Sequence, residues 1–387
     1  MKWRCFRHLP EGNMLSEKEI LRYSRHLLLS EIGTEGQEKL KNARVVVIGA
    51  GGLGCPVLQY LAAAGVGRIG IVDFDVVDET NLQRQILFDV SDIGKSKAET
   101  AKIKLQNQNP LISVTSVNEK LITQNALSLF SEYDIIIDGT DNFSTRYMVN
   151  DACVLLGKTL VSGSVFKFQG QVSVFNFKNK NGEIGPTYRC LFPTPPSPDD
   201  VPSCSEVGVL GVLPGIIGTL MANESLKIIT GIGEILSGKL LIADALSMNF
   251  NTIELKRNPA SLKLIPKSAE EFQKMDYEFF CGTKQNKSSV KEISAPMLFD
   301  LINSPEEIQL LDVREPNENP FVEKLNDLKI PLGNLEKRVK EISRNKKVIV
   351  FCRSGIRSRK AIELLQNKFG FENLLNLKGG VMEWLNK

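Results

Sequence analysis

Histidine is almost missing from this chain of 387 residues. The two histidines, His8 and His26, both lie near the amino end. Catalysis further along the sequence therefore has no local imidazole base. This scarcity argues against the hydrolase schemes in which a serine or cysteine is activated by histidine.

The sequence also lacks long apolar runs and concentrated charge of either sign. No uninterrupted apolar stretch approaches the roughly 18 residues that would span a bilayer. The formal net charge is +3, without the clustered basic stripe that is typical of a nucleic-acid-binding surface. We therefore expect no membrane role and no nucleic-acid partner.

Close cysteine pairs are missing as well, although the chain has seven cysteines. Scattered cysteines suit a reducing compartment better than a disulfide framework. The opening MKWRCFRHLP is basic, but it has neither the apolar core nor the cleavage site of a secretory signal. We expect a cytoplasmic protein in which residues 1–14 are a leader, either disordered or an over-extended start.

The length and pattern of the chain predict two α/β domains. Residues 44–75 read as a strand, a glycine turn, a helix and a second strand, which together make one βαβ unit. Periodicity fades after residue 257, and a smaller α/β pattern follows. The predicted domains are residues 15–258 and 291–387, with a linker at 259–290.

A glycine-rich turn follows the first strand of this unit. Gly49, Gly51 and Gly54 form G-x-G-x-x-G, with Gly52 inside the turn. Such a turn presents backbone N–H groups and a helix N-terminus to a phosphate. Alone, the motif predicts a Rossmann unit in which Asp73 holds ribose hydroxyls. An NAD-dependent oxidoreductase is therefore one alternative.

The polar residues that follow favour ATP over NAD. Asn81, Arg84 and Gln85 occur in ETNLQRQ, and Lys97 occurs in IGKSKAE. A triphosphate that is attacked at its α-phosphate gathers Arg and Lys around the leaving pyrophosphate. Taken singly, Arg84 and Lys97 are equally compatible with solvated surface charges.

Asp141 and Asn142 lie just past the buried strand YDIIID, in the sequence DGTDN. Open α/β sheets bind ligands at the carboxyl ends of their strands, which makes Asp141 a candidate catalytic residue. The alternative for Asp141 is an N-cap of the helix that begins at FSTRY.

Two cysteines are candidates for thiol chemistry. Cys204 lies in a proline-rich loop, residues 187–206, and Cys352 opens the loop CRSGIRS between a strand and a helix. Backbone N–H groups, the helix N-terminus and two arginines would favour a thiolate at Cys352. The predicted sulfur-transfer loop consists of Cys352, Arg353, Ser354, Gly355, Ile356 and Arg357.

Several separated motifs occur together in the order of a known family. They are RYSRH, GAGGLGCP, LAAAGVGRIGIVDFDVVDETNLQRQ, IGKSK, DGTDNFSTRY and SGS. Residues 15–258 resemble the MoeB/ThiF enzymes, which adenylate molybdopterin-synthase and thiamine sulfur carriers and are related to the ubiquitin-activating enzymes. Residues 291–387, with LLDVREP, the Cys352 loop and LKGGVMEW, resemble a rhodanese domain, although ENPFVEKLNDLKIPL departs from the usual pattern. The resemblance implies a Rossmann-like nucleotide-binding domain and a smaller α/β rhodanese domain.

The resemblance also implies roles for individual residues. Arg25 would reach into the site of a partner subunit, which implies a homodimer, and Cys204 would resolve a persulfide or form a transient acyl link. Asp141, beside Asn142, would organise Mg²⁺ and the α-phosphate. In the nucleotide site, Asp73 would hold the ATP ribose, while Asn81, Arg84 and Lys97 would bind the phosphates. Gln85 is a further candidate for cofactor binding.

The implied reaction is adenylation of the C-terminal glycine of a small β-grasp sulfur carrier. The Cys352 persulfide, loaded from a persulfide or thiosulfate donor, would then give a thiocarboxylate. The molybdopterin-synthase small subunit is the first candidate carrier and a thiamine-pathway carrier the second. A non-catalytic scaffold that binds the carrier is a further alternative, which intact Arg84 and Asp141 argue against.

Many members of the resembled family hold a structural zinc with two C-x-x-C pairs. Here the first pair reads Thr187-Tyr188-Arg189-Cys190, and RNPASLKLIP stands where the second is expected. One cysteine cannot supply the four ligands of a tetrahedral site. We therefore predict no structural zinc.

Overall fold

In a computed structural model the chain is described over residues 14–196, 208–282, 290–320, 322, 325 and 328–385. The fold divides into two compact units, Met1–Lys284 and Gln285–Lys387. Cys204 lies outside the described residues.

Within the described residues, the first unit contains an eight-stranded sheet in the order β3-β2-β1-β4-β5-β6-β7-β8. β1 to β5 pair in parallel, and β6 to β8 pair antiparallel. The strands are β1 Arg44–Ile48, β2 Arg68–Val72, β3 Ser113–Val117, β4 Ile135–Asp138, β5 Thr159–Phe166, β6 Gln169–Phe175, β7 Lys239–Asp244 and β8 Asn249–Glu254.

The central strands form because they are uniformly apolar and are covered on both faces, as parallel strands usually are. Val45 and Val47 join one buried cluster, while Val46 and Ile48 join the other. The α-helices of this unit are Glu17–Arg22, Ser24–Leu27, Gly33–Asn42, Gly54–Ala64, Lys97–Gln108, Thr123–Ser131, Phe143–Leu156, Tyr188–Leu191, Val212–Thr230, Pro259–Leu262, Ala269–Lys274 and Tyr277–Phe280, with 3₁₀ turns at Glu79–Asn81 and Val90–Asp92.

The helix Val212–Thr230 is apolar along most of its length. Among the described residues it is the one helix whose length and composition would allow it to cross a membrane. Its Leu213, Ile217 and Met221 side chains are buried in the core of the first unit. A core helix passes the same test of length and composition.

The segment predicted as a linker is more structured than its composition indicates. The helices Pro259–Leu262, Ala269–Lys274 and Tyr277–Phe280 belong to the first unit. Phe272 and Tyr277 are buried in its core. Each helix has only four to six residues and is too short to show a helical period, which is why the sequence pattern is irregular here.

Within the described residues, the second unit has a five-stranded parallel sheet in the order β11-β10-β12-β13-β9. β12 is its central strand, and buried clusters lie on both of its faces. The strands are β9 Lys291–Ile293, β10 Ile308–Asp312, β11 Leu328–Lys329, β12 Lys347–Phe351 and β13 Leu374–Leu377; the α-helices are Ala295–Ile302, Leu335–Arg338, Ile356–Phe369 and Gly380–Leu385, with 3₁₀ turns at Leu332–Asn334 and Val339–Glu341.

Candidate active sites

The order of the large sheet places one candidate site. The chain builds β1, β2 and β3 outward and then returns to place β4 on the other side of β1. The carboxyl ends of β1 and β4 therefore flank a topological switch point, where open α/β sheets bind ligands. The glycine turn follows β1, and Asp141 follows β4.

The glycine turn is shaped by close backbone contacts. Gly49 has a positive φ of 90°, a conformation that glycine adopts without strain. A β-carbon on Gly54 would lie 1.9 Å from the carbonyl oxygen of Gly49, so no larger residue fits there. The turn thus leads directly into the helix Gly54–Ala64, whose N-terminus can face a phosphate.

Asp73 is fixed in place at the end of β2. Its Oδ2 accepts the backbone N–H of Ala50 at 2.8 Å, and its Oδ1 accepts that of Asp75 at 2.9 Å. Burial raises the pKa of Asp73, and these hydrogen bonds and the Lys97 charge oppose that rise. Each carboxylate oxygen keeps a second lone pair, which leaves Asp73 able to accept from ribose hydroxyls.

Arg84 and Gln85 lie over the glycine turn. A β-carbon placed on Gly52 would be 3.5 Å from Cγ of Arg84, and one placed on Gly51 would be 3.8 Å from Nε2 of Gln85. The guanidinium of Arg84 donates to the carbonyl of Thr80 at 3.1 Å. The backbone N–H of Arg84 donates to the carbonyl of Asn81, so both residues belong to one turn. Arg84 and Gln85 therefore lie together above the position predicted for the phosphates.

Lys97 is buried and paired, unlike an ordinary surface lysine. Its Nζ lies 3.1 Å from Oδ2 of the more exposed Asp75. Its backbone N–H donates to the carbonyl of Asp75 at 2.9 Å. A buried ammonium without a partner is costly. The pair with Asp75 therefore indicates that the fold fixes the position of the Lys97 side chain. Lys97 is also close enough to Asp73 to affect its pKa.

The residues after β4 resolve the alternative for Asp141. Asn142, not Asp141, is the N-cap of the helix Phe143–Leu156, since its side chain accepts the backbone N–H of Thr145 at 2.9 Å. Asp141 itself is exposed. The N-cap alternative is therefore wrong for Asp141, and Asn142 has a structural role whether or not it also contacts a nucleotide.

Sequence reasoning missed two charged neighbours of Asp141. Asp138 is fully buried, and burial raises its pKa, while the charge of Arg146 opposes that rise. Arg146 donates to the carbonyl of Thr140 at 2.7 Å. The signal was available, because Arg146 lies one helical turn after Asn142 and therefore faces the same edge of the sheet.

These residues fit a bound nucleotide. Gln85 is buried, and its Oε1 has no hydrogen-bond partner among the described residues, so it can accept from a ligand donor. The exposed carboxylate of Asp141 is the kind of oxygen ligand that Mg²⁺ prefers, with phosphates and waters completing its shell. Asp138 is buried, and its Oδ1 already accepts from the backbone N–H and the hydroxyl of Thr140. A bound Mg²⁺ would neutralise phosphate charge.

Arg25 is separate from this cluster in the described residues of the single chain. It is exposed on the short helix Ser24–Leu27, with no hydrogen bond or ion pair to the residues of the nucleotide site.

The second candidate site surrounds Cys352, which follows the central strand β12. Its side chain is fully buried. Sγ accepts the backbone N–H of Gly355 at 3.2 Å and lies 3.4 Å from Oγ of Ser358. Gly355 reaches this position with φ of 89°, which favours glycine. The helix Ile356–Phe369 begins inside the predicted sulfur-transfer loop.

The sequence predicts that Arg353 and Arg357 both favour a thiolate at Cys352, but the structure places them in different surroundings. Arg353 is exposed, whereas Arg357 is bound by Glu318, with Nη1 2.7 Å from Oε2 and a second contact between Nη2 and Oε1. The charge of Arg357 is therefore shared with a carboxylate and does not serve the thiolate alone. The sequence pattern missed Glu318, which is 39 positions away from Arg357.

The residues at the expected zinc position are packed against one another. Oγ1 of Thr187 lies 3.4 Å from Sγ of Cys190, which accepts the backbone N–H of Asn258 at 3.3 Å. In the part of the chain that the structure describes, no three His, Cys, Asp or Glu side chains are grouped to hold a metal. The absence of zinc stays a prediction.

A buried ion pair anchors the same segment. Arg189 and Asp151 are both fully buried and make two hydrogen bonds of 2.8 and 2.7 Å. The hydroxyl of Tyr277 donates to Asp151 at 2.8 Å. The guanidinium of Arg189 lies over the rings of Tyr147 and Phe280. These contacts hold the start of the proline-rich loop on the core.

We expect Arg189→Met to lower the free energy of unfolding by about 3–5 kcal/mol, because it leaves the Asp151 charge buried and unpaired. The matched control is Arg44→Met, which breaks the exposed pair with Asp134 and should cost at most about 1 kcal/mol. Urea unfolding of the full chain measures both. Equal losses in the two variants would contradict the structural role of the buried pair.

Comparison with known families agrees with this geometry. The ThiF family model matches residues 23–263, and the Rhodanese-like domain model matches residues 294–387. The chain is 45% identical over 379 residues to the "Probable adenylyltransferase/sulfurtransferase MoeZ" of Mycobacterium tuberculosis, covering 96% of this chain and 94% of that protein. It is 39% identical to the "Adenylyltransferase and sulfurtransferase MOCS3" of Drosophila grimshawi, covering 96% and 85%.

Two further similarities concern the first unit. The "Sulfur carrier protein adenylyltransferase" of Thermus thermophilus is 51% identical over 269 residues, which cover 70% of this chain and 99% of that protein. Among solved structures, that of E. coli MccB with ATP has a TM-score of 0.52 at 25% identity, covering 64% of this chain and 75% of that one.

The chain therefore belongs to the ThiF family and carries a rhodanese-like domain after its ThiF domain. It is a nucleotidyltransferase joined to a sulfurtransferase. The predictions of fold class and enzyme class are confirmed, and the alternatives of an NAD-dependent oxidoreductase and a scaffold lose their support.

Proposed function

We propose that the chain uses ATP to adenylate the C-terminal glycine of a small β-grasp sulfur carrier and then supplies sulfur from Cys352. The observation that carries the proposal is the cluster at the switch point of the large sheet. There the glycine turn, Asp73, Arg84 and Lys97 lie together in the pattern that a triphosphate requires. The relatives named as adenylyltransferases and sulfurtransferases support it.

In the first half-reaction, a carboxylate oxygen of the carrier attacks the α-phosphate. The bond to the β-phosphate breaks, and pyrophosphate leaves with the bonding electrons. Arg84 and Lys97 would neutralise the charge that builds on the leaving group, and Asp73 would hold the ribose. With Asp141 and Asn142 near the α-phosphate, the protein contributes positioning and charge neutralisation.

In the second half-reaction, the terminal sulfur of the Cys352 persulfide attacks the acyl carbon and AMP leaves. The product is an acyl disulfide between the carrier and Cys352. A second thiolate then attacks the Cys352 sulfur, forming a new disulfide and releasing the thiocarboxylate. Cys204 is our candidate for that thiol, with a transient acyl link at Cys204 as the other possible role.

The proposal has further parts that go beyond the family assignment. The first candidate carrier is the molybdopterin-synthase small subunit, which would place the enzyme in molybdenum cofactor biosynthesis; a thiamine-pathway carrier is the second. The enzyme would work in the cytoplasm with Mg²⁺ and as a homodimer. In that dimer Arg25 would complete the partner's nucleotide site, consistent with its exposure and its separation from its own site.

Pyrophosphate exchange tests the adenylation. We expect exchange of labelled pyrophosphate into ATP to require a carrier that ends in free glycine, because the carboxylate is the nucleophile. The same carrier with its C-terminus amidated is the control. Comparison of kcat/KM for the two candidate carriers identifies the preferred one. If neither carrier elicits exchange, the adenylation proposal fails.

A further inference from the structure

In the Cys352 loop of the second unit, Arg357 forms an ion pair with a carboxylate. The Glu318 carboxylate contacts the Arg357 guanidinium through both of its oxygens. The two side chains are 20% and 31% exposed. The hydrogen bonds from Arg357 hold the pKa of Glu318 below its usual range. Glu318 is therefore a fixed negative charge beside the Cys352 loop at neutral pH.

Other cations near the loop are also paired. Arg314 makes hydrogen bonds of 2.9 and 2.7 Å to Asp312, which ends the strand beside β12. Nζ of Lys329 lies 3.9 Å from the same carboxylate. Of the two arginines in the loop, Arg353 has no ion pair among the residues that the structure describes. Arg314, Lys329 and Arg357 are thus each paired with a carboxylate, which lowers the net positive charge around Cys352.

Possible sulfur donors differ in how much positive charge they need. When a thiolate attacks thiosulfate, the S–S bond breaks and its electron pair leaves on sulfite, so both the donor and the leaving group are dianions. When the donor is a cysteine persulfide, the thiolate attacks the outer sulfur and the leaving group is a single thiolate. Neither route needs an external oxidant or reductant. A dianion requires unpaired cations at the loop, whereas a persulfide requires fewer.

We propose that Glu318 is a specificity-determining residue that disfavours small dianionic sulfur donors, so that a persulfide carried on a cysteine thiol is the preferred donor class. This inference rests on the proposed role of Cys352 as the sulfur acceptor. Glu318 is also the first residue of ENPFVEKLNDLKIPL, the segment in which the sequence departs from the usual rhodanese pattern.

The test is single-turnover loading of the full chain, with either thiosulfate or cysteine persulfide as the donor. Mass spectrometry of the Cys352 peptide follows the addition of one sulfur. Glu318→Gln keeps the shape of the side chain and removes its charge. We expect the rate constant for thiosulfate to rise about tenfold or more, and that for cysteine persulfide to change by less than about threefold, since it presents less charge.

Glu315→Gln is the matched control, because Glu315 is exposed and makes no ion pair with Arg357. It should leave both rate constants unchanged. Glu318→Ala, with its fold verified by thermal melting, should reproduce the thiosulfate gain. An unchanged thiosulfate rate, or parallel changes for both donors, would overturn the role of Glu318. If wild-type Cys352 accepts sulfur from neither donor, the proposed sulfur transfer itself fails, which is a separate outcome.

Discussion

A Cys352→Ser variant is expected to form no thiocarboxylate while it exchanges pyrophosphate at the wild-type rate. Serine keeps the small side chain of the loop but cannot carry a persulfide sulfur. The loss should therefore be at least about a thousandfold in sulfur transfer, with adenylation intact. Thiocarboxylate is measured by mass spectrometry of the carrier, and adenylation by pyrophosphate exchange on the same preparation.

Other thiols provide the controls for this prediction. Burial raises the pKa of Cys55 and of Cys281 to about 12, so almost none of either thiol is ionised at neutral pH. Cys190 is partly exposed and hydrogen-bonded to Asn258. Cys190→Ser is therefore the matched variant, and it should retain sulfur transfer. If Cys352→Ser still forms thiocarboxylate, the sulfur passes through another residue.

An Arg84→Gln variant should lose about 10²–10³-fold in pyrophosphate exchange, the usual effect of removing one group that stabilises transition-state charge. Arg84 lies over Gly52, where its guanidinium can reach a phosphate. The effect should fall mainly on kcat, because the charge on the leaving pyrophosphate builds in the transition state. Sulfur loading of Cys352 should not change.

Arg44→Gln is the control for this second prediction. Arg44 begins β1, at the opposite edge of the sheet from the glycine turn, and pairs with exposed Asp134. The Arg44→Gln substitution removes the same charge from the same unit as Arg84→Gln. Because Arg44 lies away from the glycine turn, pyrophosphate exchange should continue at the wild-type rate. If both variants lose exchange equally, the effect is one of overall charge and Arg84 has no specific role at the phosphate.

Local patterns in the sequence were sufficient to predict which residues cluster at the candidate nucleotide site. The glycine turn, the buried strands and the polar cluster at residues 81–97 lie within about fifty positions, and each segment has a periodicity or a turn signal of its own. Sequence alone left both alternatives open for Asp141, because Asp and Asn are about equally good N-caps. The hydrogen bond from Thr145 to Asn142 removes the N-cap alternative, and the catalytic role of Asp141 stays a prediction.

Contacts between distant positions could not be predicted from a single sequence. Arg189 and Asp151 are 38 positions apart, and Tyr277 is 126 positions from Asp151. Nothing in the local pattern distinguishes a buried Arg from an exposed one, since arginine is mostly found at the surface. The pairing of Arg357 with Glu318 was missed for the same reason, and with it the true charge balance of the Cys352 loop.

The burial of Cys352 has a consequence for the lifetime of the sulfur it would carry. Persulfides are lost to soluble thiols and to oxidants that reach the outer sulfur atom. The Sγ atom of Cys352, which would anchor the persulfide, has no exposed surface and is shielded from such reagents. The hydrogen bonds from Gly355 and Ser358 can stabilise an anionic sulfur there. The loop would thus serve as a storage site, in which the sulfur waits until a carrier has been activated on the same chain.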